Sequence, residues 1–343
     1  MPKQIPGQHS ASGDKLLIAY LFPGQGAQVI GMGRALYEAD AVARSTIDSI
    51  ENICKLPLKR LMWEGPASEL TATWHAQLAL FACSVAAYRA FRNAGAPEPR
   101  FVAGHSVGEY AALVAAEAIE LEPAVDLVSL RGKSMAAAPP GTMAALIGLA
   151  VDKLEAICQT VDGTVTVANY NSPEQFVISG EYAAVEAACE MALVAGAKRA
   201  IRLNVGGAFH SPLMLPALGP LSAALATAPW KATRIPVVHN VDALPNRETQ
   251  QFIDRLSRQL AGNVRWTDGI LAMRDGGSRI FVELGCGRTL TGLLRRIDKT
   301  LSGLVVEDPR SLGEAIAKLS ASGVIPDKES PQVTRRQYQL DNC

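Results

Sequence analysis

The chain is short of several things that would assign it a class at once. It has no excess charge of either sign: Lys+Arg and Asp+Glu stand at 33 each over 343 residues. The basic surplus of a nucleic-acid binder is therefore missing. Its six cysteines, Cys54, Cys83, Cys158, Cys189, Cys286 and Cys343, are scattered and form no Cys-x-x-Cys pair. That removes a structural zinc site and a disulfide framework from consideration and fits a reducing compartment. Apolar runs are broken by Gly, Pro or charge before they reach the roughly 20 residues a bilayer requires. The opening MPKQIPGQHSASGDK lacks the apolar core of a signal peptide. A cytoplasmic protein that avoids membranes and nucleic acids is expected.

What is present suits a large buried core, since 48% of the residues are hydrophobic. After a polar stretch at 1–14, strand-like and helix-like segments alternate, the pattern of an α/β fold with a mainly parallel sheet. KLLIAYLF (residues 15–22) reads as a strand, residues 23–28 as a loop and 29–37 as a helix. Residues 77–93 carry Leu78, Phe81, Val85, Tyr88 and Phe91 at helical spacing, stopped by Gly95 and Pro97. Residues 141–205 have the order β-α-β-β-α-β of a ferredoxin-like unit, with a turn expected at Asn171-Ser172-Pro173. This unit reads as a small subdomain inserted into a larger one formed by 15–140 and 206–320. Residues 321–343 form a second polar tail, and both tails are expected to be disordered.

Gly104-His105-Ser106-Val107-Gly108 lies between a short strand and a helix, the setting of a nucleophile elbow. There a tight turn forces the serine into a strained conformation and lifts its hydroxyl above the sheet. A serine hydroxyl needs a base. Of five histidines, His9 is in the tail and His75 precedes an apolar helix. His105 is adjacent to Ser106 and points elsewhere, and His239 in VVHNV reads as core or as support for the site. His210 follows Gly206-Gly207 and precedes Ser211-Pro212, a helix start with Ser as N-cap. That places it at a sheet-to-helix junction, where α/β active sites form. Arg131 shares a helical stripe with Ala124, Val128 and Met135, so a cation sits in line with an apolar face and needs a partner. Gly24-x-Gly26 is not a dinucleotide loop, because Val29 stands where the third glycine belongs. Gly285-Cys286-Gly287 is given no chemistry.

Five stretches, LFPGQGAQ (21–28), GHSVGEYAALV (104–114), RGKSM (131–135), GAFHSPLM (207–214) and RQLAGNVRWT (258–267), together resemble the malonyl-CoA:acyl carrier protein transacylase family, which includes discrete acyltransferases of polyketide synthases. The resemblance runs from about Leu16 to Leu319. It implies an α/β-hydrolase-like large subdomain with an inserted ferredoxin-like one. It implies an acyltransferase with Ser106 as nucleophile, His210 as base and the main-chain carbonyl of Gln259 orienting the imidazole. A helix-end carbonyl is suited to that task, since the last four lack intrahelical partners. The implied oxyanion donors are the N–H groups of Gln25 and Val107. Arg131 would bind the malonyl carboxylate, and Phe209 would bear on the acyl group. The resemblance further implies a coenzyme A thioester as donor, the phosphopantetheine of an acyl carrier protein as acceptor, and no metal or redox cofactor. A monomer serving fatty-acid or polyketide synthesis is expected. The rival readings are an acyl hydrolase using the same serine and histidine, and a non-catalytic docking subunit.

Overall fold

A computed structural model of the chain describes residues 17–324; both polar tails expected at the termini lie outside that range except for 321–324. Among the described residues, ten strands form two sheets. The larger takes β1 (Leu17–Phe22), β2 (Phe101–Gly104), β7 (Val237–Val238), β8 (Pro245–Asn246), β9 (Ser278–Leu284) and β10 (Ser302–Val306) in the order β10-β9-β1-β2-β7-β8. All its pairings are parallel except that of β8. The central strand β1 is a continuous apolar run, and Ile18 to Phe22 are all buried, as a parallel strand covered on both faces requires.

The smaller sheet holds β3 (Thr142–Ile147), β4 (Val165–Ser172), β5 (Gln175–Gly180) and β6 (Arg199–Arg202) in the antiparallel order β4-β5-β3-β6. With helices Val151–Thr160 and Tyr182–Val194 between its strands, this is the ferredoxin-like arrangement. Alternation decides its two faces. Ala144, Leu146, Phe176 and Ile178 form a core with the two helices. Their neighbours Met143, Ala145, Gln175 and Val177 turn toward a cavity shared with the larger unit. Backbone bonds between Tyr170 and Val264 and between Val264 and Ala168 tie the two units together.

Two local expectations are corrected. The helix expected over 29–37 begins only at Arg34, because Gly31 and Gly33 have φ of 92° and 71°, which a right-handed helix does not allow. The expected turn at 171–173 is later: β4 runs through Ser172, so Asn171 is a strand residue facing the cavity. No helix of the described residues is long and apolar enough to cross a membrane.

Candidate active site

The site lies at the carboxyl ends of the parallel strands, where an open α/β sheet binds its ligands. The loop after β1 carries Gln25, and the turn after β2 carries Ser106. Asn240 follows β7 by two residues. Ser106 has φ of 53°, a left-handed conformation that costs a non-glycine residue about 1–2 kcal/mol. Its neighbours explain why the motif needs glycine. A Cβ on Gly104 would lie 1.9 Å from the Gly108 carbonyl carbon, and one on Gly108 would lie 2.2 Å from the Phe22 oxygen. Asn240 holds the turn from behind. Its Oδ1 accepts from the Ser106 N–H at 2.7 Å, and its Nδ2 donates to the Gly104 oxygen at 2.7 Å.

His210 reaches Ser106 from 104 residues away, with Nε2 2.7 Å from Oγ. It too is left-handed, with φ of 59°. Its Nδ1 lies 2.9 Å from the Gln259 oxygen and 3.1 Å from that of Gly262. Two carbonyls can only accept, so Nδ1 carries the proton and Nε2 offers its lone pair to the serine hydroxyl. Helix Thr249–Gln259 ends at Gln259, which frees that carbonyl for the imidazole. The pKa of His210 is lowered to about 3, first by burial and then by the Arg131 guanidinium. A neutral imidazole in this position can take the serine proton.

Ser211 differs from its expected role. Its hydroxyl donates to the Ala208 oxygen at 2.6 Å rather than capping a helix, and the following segment Pro212–Ala217 is a 3₁₀ turn containing Pro216. The α-helix starts only at Leu218.

Arg131 lies in helix Leu121–Ala136 and is 1% exposed. Ala124, Val128 and Met135 of its stripe are buried with it. One Nη2 donates to Ser106 Oγ at 3.0 Å and to Gln259 Oε1 at 2.9 Å, while Nη1 donates to Gln77 Oε1 at 2.7 Å. Its Nε is buried with no partner among the described residues. Burial pulls its pKa below the usual arginine range, yet a guanidinium stays charged.

A cavity of about 270 Å³ opens onto Ser106 and His210, lined also by Gln25 and Phe209 from the larger unit and by Met143, Asn171 and Val177 from the smaller. Ser106 separates it from Arg131, which does not line it. Among the described residues, the N–H groups of Gln25 and Val107 make no hydrogen bond. His105 turns away from the serine, as expected. Its Nε2 lies 2.9 Å from Asn171 Oδ1, and its ring packs on Trp266.

Sequence reasoning missed Asn240, Gln77 and Glu109. Glu109 is fully buried and bonds His239 Nδ1 at 2.6 Å. The available signal was a carboxylate inside the otherwise apolar run GEYAALVA. Gly285 and Gly287 show no such pattern: Gly287 N–H and the side chain of Arg288 bond Glu307, a contact that shapes the loop.

Residues 19–321 match the family model of the acyl transferase domain. The chain is 41% identical over 308 residues to the malonyl CoA-acyl carrier protein transacylase of Bacillus subtilis (strain 168), spanning 88% of this chain and 97% of the relative. Its fold is similar to that of the acyl-carrier-protein S-malonyltransferase of Burkholderia pseudomallei 1710b, with a TM-score of 0.86 and 41% identity over 88% of this chain and all (100%) of the other. It is equally similar (TM-score 0.86, 39% identity, 88% of this chain and 99% of the other) to a structure described as a type II PKS acyl carrier protein in complex with its malonyl transacylase.

Proposed function

The chain belongs to the acyl transferase domain family, and from that premise we propose that it moves a malonyl group from coenzyme A to the phosphopantetheine thiol of an acyl carrier protein. One observation carries the reading. A serine hydroxyl lies 2.7 Å from an imidazole and 3.0 Å from a buried guanidinium whose hydrogen bonds go only to neutral groups. The first contact makes an acyl-transfer nucleophile, and the second provides a place for an acyl group that ends in a carboxylate.

In the first half-reaction Ser106 Oγ attacks the thioester carbonyl carbon as its proton passes to His210 Nε2. The carbonyl oxygen becomes an oxyanion, facing the N–H groups of Gln25 and Val107. The intermediate collapses, the C–S bond breaks, and the coenzyme A sulfur leaves with the proton from His210. The carrier's thiol then attacks the malonyl-serine carbonyl, giving its proton to His210. Collapse breaks the C–O bond, and Ser106 recovers that proton. One acyl group and one proton move in each half, and the balance requires no metal or redox group. Gln259 acts through its carbonyl, which keeps the imidazole proton on Nδ1 so that Nε2 is the base. The malonyl carboxylate pairs with the Arg131 guanidinium through the Nη2 group that otherwise rests on Ser106. Phe209 lines the cavity beside His210 and would crowd a branched acyl group. The malonyl-carrier product serves fatty-acid or polyketide synthesis.

The test is donor selectivity. Losing one partner of a buried charged pair costs about 3–5 kcal/mol. Arg131→Ala should therefore lower kcat/KM for malonyl-CoA by two to three orders of magnitude or more relative to acetyl-CoA. A variant that treats both donors as the wild type does would show that the cation is not a carboxylate clamp.

A further inference from the structure

Among the described residues Arg131 is the largest fully buried side chain, and its hydrogen bonds end on Gln77, Ser106 and Gln259, all neutral. A guanidinium so placed is costly unless something nearby balances its charge. The balancing group lies one side chain further on. Glu109, 0% exposed, accepts at Oε2 from Gln259 Nε2 at 2.9 Å and from the Asn240 N–H at 3.0 Å. Its Oε1 lies 2.6 Å from His239 Nδ1. The Gln259 amide thus stands between cation and carboxylate, its oxygen toward Arg131 and its nitrogen toward Glu109 and the Ser106 oxygen. Partners of opposite kind at its two ends leave this amide one orientation. Glu109 is bonded to His239, Asn240 and Gln259 and touches no reacting atom, so the mechanism above does not use it.

We propose that Glu109 is the built-in counter-charge of Arg131, coupled to it through the Gln259 side-chain amide, and that it sets how strongly the site prefers an acyl group bearing a carboxylate. The inference rests on Arg131 binding that carboxylate. With no acyl group bound, Glu109 offsets the buried cation and stabilises the empty site. With malonyl bound, the same negative charge opposes the incoming one, because two like charges in a desolvated site repel across several ångströms. The pair therefore holds the clamp below its full strength, which lets the acyl group leave for the carrier. Glu109 is in this sense a specificity-determining residue that acts through another.

Glu109→Gln tests this with little change of shape. The new amide oxygen can still accept from Gln259 and Asn240. Its nitrogen faces His239, whose ring can move its proton to Nε2, a buried atom with no partner among the described residues. The readout is the malonyl:acetyl ratio of kcat/KM. It should rise about threefold to thirtyfold, mainly through a lower KM for malonyl-CoA. In an Arg131→Ala background the same substitution should move the ratio less, because no guanidinium holds the carboxylate within the field of Glu109. His239→Asn, which disturbs the same cluster but keeps the carboxylate, should leave the wild-type ratio unchanged. A ratio that stays level or falls in Glu109→Gln, or that moves equally with and without Arg131, overturns the proposal. If Glu109→Gln does not fold, the double variant Glu109→Gln/His239→Asn decides: the two side-chain amides can satisfy each other, the carboxylate charge is gone, and the ratio should rise, whereas no rise refutes the proposal. Should Arg131→Ala itself keep the wild-type ratio, the assignment of Arg131 fails instead, and the two failures are told apart.

Discussion

Asn240 offers a quantitative check on how the elbow is held, and Asn240→Ala is the perturbation. Its side chain makes two bonds of 2.7 Å, one to the Ser106 N–H and one to the Gly104 oxygen. Alanine leaves both groups without their partner in a buried place, at about 1–3 kcal/mol each, so about 2–6 kcal/mol together. Against a domain stability of about 5–15 kcal/mol, a loss of about 4 kcal/mol, the middle of the expected loss, leaves the variant folded at 25 °C. The kinetic effect should exceed what lost stability alone produces. Ser106 is held at φ 53° against a preference of about 1–2 kcal/mol for other conformations, and the released turn drifts toward them. A displacement of about 1 Å at the reacting atom costs about a hundredfold in rate. Urea unfolding gives the first number, and the single-turnover rate of acylation by malonyl-CoA gives the second. Asn240→Asp sharpens the test, because it is nearly the same shape but turns an oxygen toward the Gly104 carbonyl. It should be less stable than Asn240→Ala. The reasoning is refuted if Asn240→Ala unfolds within about 1 kcal/mol of wild type and acylates at the normal rate, or if the aspartate variant matches wild type.

Other expectations are as direct. His210 is lowered to about 3 in the folded state, against an ordinary value of about 6.5, so the acid limb of kcat/KM should lie well below pH 6. Arg131→Ala, assayed with acetyl-CoA, should move that limb to higher pH, since the guanidinium is the second cause of the depression. Between those two pKa values the unfolded chain binds a proton the folded one does not. Stability should therefore fall as pH drops through that window, which acid titration of the urea midpoint measures. Gly108→Ala brings a Cβ within 2.2 Å of the Phe22 oxygen and should give little soluble protein. Gly292→Ala, in helix Thr289–Ile297 with nothing within 4 Å, should be neutral or stabilising by up to about 1 kcal/mol; comparable losses in both would remove the steric argument. Phe209→Ser should raise the methylmalonyl:malonyl ratio of specificity constants by about 10- to 200-fold, the range worth about 1–3 kcal/mol, and a ratio left level removes Phe209 from acyl selection.

Much of this molecule can be read from local pattern. Strand alternation, the glycines around Ser106 and the placing of His210 after a flexible Gly-Gly pair depend on neighbours in the chain. For that reason the ferredoxin-like unit and the elbow were legible. Backbone exceptions were less so. The delayed helix at Arg34 follows from positive φ at Gly31 and Gly33, and the 3₁₀ turn after Ser211 contains a second proline whose missing N–H cannot serve a helix. The support of the site was hardest to see. Asn240 meets Ser106 across 134 residues, Arg131 meets Gln77 across 54, and Gln259 meets Glu109 across 150. No local periodicity encodes such contacts. Only a buried-polar anomaly, such as Glu109 within an apolar helix, hints at them.

The central claim is that malonyl passes through an ester on Ser106. Its most direct test is intact mass of the protein after exposure to malonyl-CoA, before and after addition of a holo-acyl carrier protein, with Ser106→Ala in parallel. The account predicts a single malonyl adduct on the Ser106 peptide of wild type, none on the variant, and transfer of that mass to the carrier. An adduct that persists without Ser106, or free malonate released while the carrier gains nothing, would contradict it.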